Sequence, residues 1–166
     1  ILKQIDKKLR KFRNKREFKV LNKLYENNVL LPKPYQLFES DEFAFTFEYI
    51  EGDILKNVID RNSLFRGFEE IIKMHNLEII HGDLTTLNMI EKEGHVYLID
   101  FGLALFSRKI EDRAVDLNLF FSCIKNEHPN FYKYKEELEY IYVKKVNYGD
   151  NIIKRLHKIE MRGRNK

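Results

Sequence analysis

Asp83, Asn88 and Asp100 fall within residues 79–104, IIHGDLTTLNMIEKEGHVYLIDFGLA, and each adjoins a short apolar segment rich in strand-forming residues. A carboxylate that closes such a segment sits on a turn at the rim of a core, its backbone anchored and its side chain free to meet a ligand. An amide oxygen and a carboxylate oxygen converging on one point make a hard oxygen site of the kind Mg²⁺ accepts, with phosphate oxygens and water completing the octahedron. A second carboxylate near that ion but off it can orient a hydroxyl or a water for attack on a phosphoryl group. Gly82 and Gly102 permit positive φ and so allow both turns to be tight. Taken singly, each of these polar residues reads first as a turn or cap residue. Taken together, His-Gly-Asp-x-x-x-x-Asn, a hairpin, and then a hydrophobic residue before Asp-Phe-Gly form an ordered pattern that turn chemistry alone does not require.

The flanking segments must hold these turns in place. Ile5, Leu9, Phe12, Val20, Leu21 and Leu24 recur at helical spacing and predict a helix from Ile5 to about Glu26. The Asn pair and prolines of NNVLLPKPY end it and favour an extended exit. EFAFTFEYI (42–50) reads as a buried strand ended by Gly52. SLFRGFEEIIKMHNL (63–77) reads as a helix with Ser63 as N-cap. KEG turns a hairpin from LNMI into VYLID, and the acids of EDRAVDLNLFFSCI suit a helix N-terminus. Residues 131–160 read as one or two further helices, and no internal repeat or low-complexity segment interrupts the chain. Strands in the front half and helices in the back predict an α+β, two-lobed chain.

The 166 residues suffice for one domain or two small lobes around a cleft, and 43% hydrophobic residues support a packed core. The net charge of +4 conceals clustering: residues 3–19 hold Lys3, Lys7, Lys8, Arg10, Lys11, Arg13, Lys15, Arg16 and Lys19 against Asp6 and Glu17. The other end carries Lys154, Arg155, Lys158, Arg162, Arg164 and Lys166. Two basic ends fit a polyanion such as nucleic acid, or else two solvated helix faces. One cysteine, Cys123, excludes an internal disulfide, and its apolar neighbours predict a buried, inert thiol in a reducing compartment. No apolar run approaches the ~20 residues of a membrane span, and the N-terminus is too basic for a secretory signal. A cytosolic or nuclear location without a membrane partner is the expectation. His75 and His128 show no partner pattern, and no Cys/His cluster points to zinc. The tyrosines of NFYKYKEELEYIYVKK read as core or partner packing ahead of base stacking.

HGDLTTLN followed by LIDFGLA resembles the catalytic and metal-binding loops of the protein-kinase-like superfamily. By that resemblance Asp83 matches the catalytic aspartate, and Asn88 and Asp100 match the Mg²⁺ ligands. FTFEYIEG resembles the last small-lobe strand and hinge, with adenine contacts from the backbone of Glu48 and Ile50. Glu17 resembles the helix glutamate that pairs with the ATP-binding lysine, Asp116 the aspartate that braces the catalytic loop, and His81 a structural histidine behind it. Three departures stand out. His-Gly-Asp replaces His-Arg-Asp, only sixteen residues separate Asp100 from Asp116, and Thr85 stands where many kinases carry a lysine for the γ-phosphate. They describe a compact core without an ordinary activation segment or peptide platform.

Four stretches are similar to the kinase/ATPase subunit of the KEOPS (EKC) complex, the PRPK-type family: QIDKKLRKFRNKREFKVLNKLY, IIHGDLTTLNMI, IDFGLA running into EDRAVDL, and the terminal RGRNK. The resemblance implies a protein-kinase-like two-lobed fold with a minimal C-lobe. Residues 1–50 would be a partial N-lobe, truncated at its start, and residues 51–166 the C-lobe with its basic tail. It implies ATP and Mg²⁺ as cofactors, an atypical serine/threonine kinase and ATPase, and a place in threonylcarbamoyl-adenosine formation on tRNA. Its partners would be tRNA, a metal-binding threonylcarbamoyl transferase subunit and other KEOPS subunits, with Arg162, Arg164 and Lys166 as tRNA or partner contacts. The chain begins with Ile1, so the phosphate loop and strand lysine are expected upstream of it; Lys3, fourteen residues before Glu17, is the lysine of this chain that faintly fits. The alternatives are a small-molecule phosphotransferase of the aminoglycoside or choline kinase type, a RIO-type kinase, and a noncatalytic scaffold. The first generally needs a larger helical lobe than the fifty residues after Asp116 provide, and the second usually lacks a true Asp-Phe-Gly.

Overall fold

The first helix ends where Asn28 takes a left-handed φ of 58° and the N–H of Val29 turns back to the carbonyl of Leu24. The structure is a computed structural model that describes the backbone of residues 2–38 and 44–163 and the side chains of residues 12–38 and 44–162. Helix α1 (Leu2–Glu26) starts earlier than its apolar spacing predicts; it buries Val20, Leu21 and Leu24 but leaves Phe12 68% exposed. Strand β1 (Pro34–Phe38) then pairs antiparallel with β2 (Ala44–Phe47).

β2 corrects the sequence reading of a buried strand at 42–50. It is four residues long, its side chains are exposed or half-buried, and Phe47 is 53% exposed. β1 and β2 form a two-stranded ladder lying against α1, so burial is partial even for an apolar run. Phe45 is the residue that packs, between the rings of Phe18 and Phe47.

Gly52 is needed for proximity, since a Cβ there would lie 2.4 Å from the carbonyl oxygen of Glu91. That approach lets β3 (Asp53–Ile54) pair with β5 (Met89–Lys92), which pairs in turn with β6 (His95–Leu98). The predicted hairpin forms with a two-residue turn, Glu93 and Gly94 with φ of 50° and 79°, while Lys92 of the KEG stretch pairs with His95 in the ladder. A second pairing, β4 (Ile79–Ile80) with β7 (Leu105–Phe106), closes the two ends of the site segment against each other. The hairpin inside that closure brings the turns carrying Asp83 and Asp100 side by side.

After the short helix α2 (Leu55–Val58), α3 (Arg61–Asn76) begins with a capping box in which Asp60 accepts from the N–H of Ser63 and Ser63 Oγ accepts from the N–H of Asp60. Asp60 is therefore the N-cap, and Ser63, expected in that role, is the third helical residue. α3 packs its Phe68 against Phe120 and Phe121 of α4 (Ile110–Glu127) and Tyr142 of α5 (Lys135–Lys145), while Ile152 and Leu156 of α6 (Gly149–Gly163) complete the core. The chain is α+β. Cys123 is half-buried, not buried as expected, because α4 turns that side toward a surface depression shared with Thr85 and Leu87. Among the described residues no helix is long and apolar enough to cross a membrane.

Candidate active site

Gly82 has a φ of +86°, and a Cβ there would lie 2.9 Å from the carbonyl oxygen of Leu103, so glycine meets both a conformational and a spatial demand. It delivers Asp83 to the surface. Asn88, at the end of the 3₁₀ turn Thr86–Asn88, donates its amide N–H groups to the Asp83 carbonyl at 2.8 Å and to Asp83 Oδ2 at 2.9 Å. With that nitrogen engaged, Oδ1 remains an acceptor of Asn88 with no donor among the described residues. Asp100 adopts a φ of 60°, a left-handed conformation uncommon for a side-chain-bearing residue and characteristic of functional turns. Gly102 serves a different purpose from the one its type predicts: no positive φ is required there, but a Cβ would crowd Asp100 Oδ1 at 3.3 Å.

Behind the turns, Asp116 is buried and its carboxylate accepts from the N–H of His81 at 2.8 Å and of Gly82 at 2.9 Å. His75 Nε2 lies 3.2 Å from the same carboxylate, and its Nδ1 lies 2.7 Å from the Tyr142 hydroxyl. A carboxylate only accepts, so Nε2 carries a proton toward Asp116, and Nδ1 and the Tyr142 hydroxyl share the second bond. Burial pushes the Asp116 carboxyl up, but the hydrogen bonds from His75, His81 and Gly82 outweigh it and hold the group below its ordinary value. His81 donates from Nε2 to the carbonyl of Ile99 at 3.0 Å and stacks its ring 4.9 Å from that of Phe101. Burial lowers its pKa, which keeps it neutral and leaves Nδ1 to accept from the N–H of Asp83 at 3.4 Å. One imidazole thus joins the two turns.

The Asp100 turn opens onto a cavity of about 340 Å³ lined by Leu21, Pro32, Phe47, Ile50, Ile90 and Phe101, with Glu17 and Asp100 as its acidic members. Glu48 and Tyr49 form part of the wall; the N–H of Glu48 is engaged with the Lys33 carbonyl at 2.8 Å. Apolar walls, a backbone edge and an acidic end suit a flat heteroaromatic ring joined to an anion–metal group. Among the described residues no cluster of three or more His, Cys, Asp or Glu could hold a metal alone. A hard cation at Asn88 and Asp100 would draw further oxygens from a ligand, as Mg²⁺ does from phosphates.

The RIO domain family matches residues 2–115. The chain is 36% identical over 171 residues to the KEOPS complex subunit Bud32 of Pyrococcus abyssi, an alignment covering 97% of this chain and 77% of that one. It belongs to the RIO-domain family of kinase-like proteins, with Bud32-type relatives. A probable serine/threonine-protein kinase BUD32 homolog of Archaeoglobus fulgidus is 31% identical over 98% of this chain and 82% of its own. A probable bifunctional tRNA threonylcarbamoyladenosine biosynthesis protein of Methanobrevibacter smithii is 38% identical over 97% of this chain, which spans 30% of that longer protein. The separation of a RIO-type kinase from the main reading, made above because RIO kinases usually lack Asp-Phe-Gly, is thereby corrected: the two readings fall in one family. The RIO match includes Asp100, Phe101 and Gly102, and the relatives named Bud32 align across the same residues.

Within this RIO-domain chain, α1 delivers Glu17 to the Asp100 loop. Burial and the Asp100 charge raise the Glu17 pKa, while Arg13 and Arg16 oppose them. Residue 3 lies in the first turn of α1 and not on a strand, so Lys3 does not occupy the place of a strand lysine. Arg162 is exposed near the end of α6, remote in sequence from the cavity lining; Arg164 and Lys166 lie outside the described residues. Sequence reasoning passed over His75 and His128. The available signal for His75 was its place on the apolar stripe Phe68, Ile71, Ile72 of α3. His128 bonds Thr86 Oγ1 at 3.1 Å and so steadies the 3₁₀ turn from the α4 side, a contact no spacing rule announces.

Proposed function

We propose that this chain is a Mg²⁺- and ATP-dependent phosphotransferase and ATPase of atypical serine/threonine kinase type. In this reading it acts with KEOPS subunits in threonylcarbamoyladenosine modification of tRNA, in the cytosolic or nuclear compartment where tRNA is modified. The observation that carries the chemistry is the pairing of Asp83 with Asn88 on one turn, joined through His81 to the neighbouring turn whose left-handed Asp100 lines an apolar cavity. Asn88 Oδ1 and Asp100 hold the ion; Mg²⁺ when bound neutralises charge on the phosphate oxygens. Asp83, exposed and steadied by Asn88, orients the attacking hydroxyl or water and takes its proton. The Glu48 carbonyl and the Ile50 N–H face the adenine edge, and Glu17 meets a lysine from the small lobe. Asp116 and His81 act through the backbone of the two turns and touch no substrate.

Residues 1–50 and 51–166 are read as the small-lobe part and the large lobe on either side of the cavity. The tRNA and KEOPS assignments rest on the names of the relatives in Pyrococcus abyssi and Methanobrevibacter smithii. A metal-binding threonylcarbamoyl transferase subunit is the partner this implies, with Arg162, Arg164 and Lys166 contacting it or the tRNA.

The test is Mg²⁺-dependent ATP turnover by wild type and Asp100→Ala, with and without tRNA and the transferase partner. Turnover should rise with the partners and fall at least about a hundredfold in the variant, as removal of a group that organises transition-state charge does. Near-normal turnover in a folded Asp100→Ala would sink the metal assignment. No turnover by wild type in any mixture would leave a scaffold.

A further inference from the structure

Arg13 stands four residues before Glu17 on α1, so both side chains leave the same face of the helix, and that face meets the Asp100 loop. The loop bares its backbone there because residue 102 is glycine. From the point a Cβ on Gly102 would occupy, Asp100 Oδ1 lies at 3.3 Å, Arg13 Nη2 at 3.5 Å and Glu17 Oε2 at 3.8 Å. A guanidinium, the candidate metal ligand and the helix glutamate therefore gather around one point beside the Gly102 backbone. Arg16 fixes this approach by donating from Nη2 to the Gly102 carbonyl at 3.3 Å, and its buried Nε has no partner among the described residues.

Charge makes the arrangement purposeful. Glu17 and Asp100 line the cavity, Asp83 lies on the adjoining turn, Thr85 supplies no charge beside Asp83, and a magnesium-bound nucleoside triphosphate arrives as a dianion. A cation is required, and an arginine is suited to it because its planar fork pairs with two phosphate oxygens at once. Arg13 is the exposed member of the pair, whereas Arg16 is half-buried and tied to the loop.

We propose that Arg13 contacts the β- and γ-phosphate oxygens of the bound nucleotide, with Arg16 as the positioning residue that docks α1 on the metal loop. This rests on the nucleotide reading above. It makes α1 a reader of phosphate number, and not only the carrier of the glutamate.

The experiment compares adenosine, ADP and ATP binding by titration calorimetry in Mg²⁺ for wild type, Arg13→Ala, Arg13→Lys and the exposed control Lys15→Ala. Arg13→Ala should weaken ATP about tenfold or more, as loss of a charge-assisted pair does, ADP less, and adenosine not at all. Arg13→Lys should recover part of the loss, and Lys15→Ala should match wild type. Equal losses for adenosine and ATP, or wild-type ATP affinity in Arg13→Ala, overturn the proposal while leaving the nucleotide reading intact. Loss of tRNA affinity with ATP binding unchanged assigns Arg13 to RNA and also overturns it. Failure of the wild type to bind any of the three overturns both.

Discussion

The Asp116 carboxylate satisfies two backbone N–H groups and one imidazole N–H inside the core, whereas the Asp100 carboxylate faces solvent. Their removal should therefore separate stability from chemistry. Asp116→Ala strands buried donors at His75, His81 and Gly82, and each such donor costs about 1–3 kcal/mol, so a loss of roughly 3 kcal/mol or more is expected. Asp100→Ala removes a single long hydrogen bond, that from the N–H of Gly102 to Oδ1 at 3.4 Å. Alanine tolerates the left-handed φ slightly less well than aspartate, so its stability should fall by no more than about 1 kcal/mol. Urea denaturation of the two variants beside wild type checks the contrast. An unchanged midpoint for Asp116→Ala would mean that the network does not hold the loop. His75 belongs to the same unit: its loss should be less than additive with that of Asp116, because the two share one hydrogen bond.

At the scale of elements, Gly82 and the pairing of β4 with β7 set the geometry that single residues then use. Gly82→Ala would need a left-handed alanine with its Cβ 2.9 Å from the Leu103 carbonyl, a backbone atom that cannot swing away. Strain of about 1–2 kcal/mol for the φ alone, plus the contact, should displace the Asp83 turn. Turnover should fall with the chain still folded, by circular dichroism, and a fully active Gly82→Ala would show that the turn tolerates rearrangement. The hairpin, α4 and the helical back half were legible because periodicity, turn residues and acids at a helix start act locally. The short β2 was misread: an apolar run shows hydrophobicity but not how many strands will flank it, and here its ladder partner is β1. The cap of α3 was misplaced by three residues because the two halves of a capping box carry interchangeable residue types, Asp60 and Ser63. Within the site, Asp83, Asn88 and Asp100 were legible as a pattern along the chain. The approach of Arg13 and Arg16 to Gly102, across 86 or more residues, appears only when α1 is laid on the metal loop.

On the whole molecule, the basic residues divide by whether the fold already neutralises them. On α6, Lys154 pairs with Asp150 and Arg155 with Glu111 on α4, while Lys135 of α5 lies between Glu139 and Glu160. These charges hold helices together and give little field to a distant polyanion. Arg162 is exposed at the end of α6, and Arg164 and Lys166 follow it in the sequence. In the proposed function the tRNA backbone meets the chain at that end, beyond the paired Lys154 and Arg155. Deleting residues 162–166 should therefore weaken tRNA binding and flatten the dependence of log K on log[salt], by about one unit of slope for each phosphate the tail neutralises. Arg155→Ala should leave that slope unchanged and act only slightly on stability, as a solvent-screened surface pair does. ATP affinity should be the same in both variants, because neither touches the cavity lining. Salt-titrated tRNA binding by fluorescence anisotropy separates the two. A slope that flattens in Arg155→Ala and persists in the truncation would move the RNA surface from the tail to the α4–α6 face.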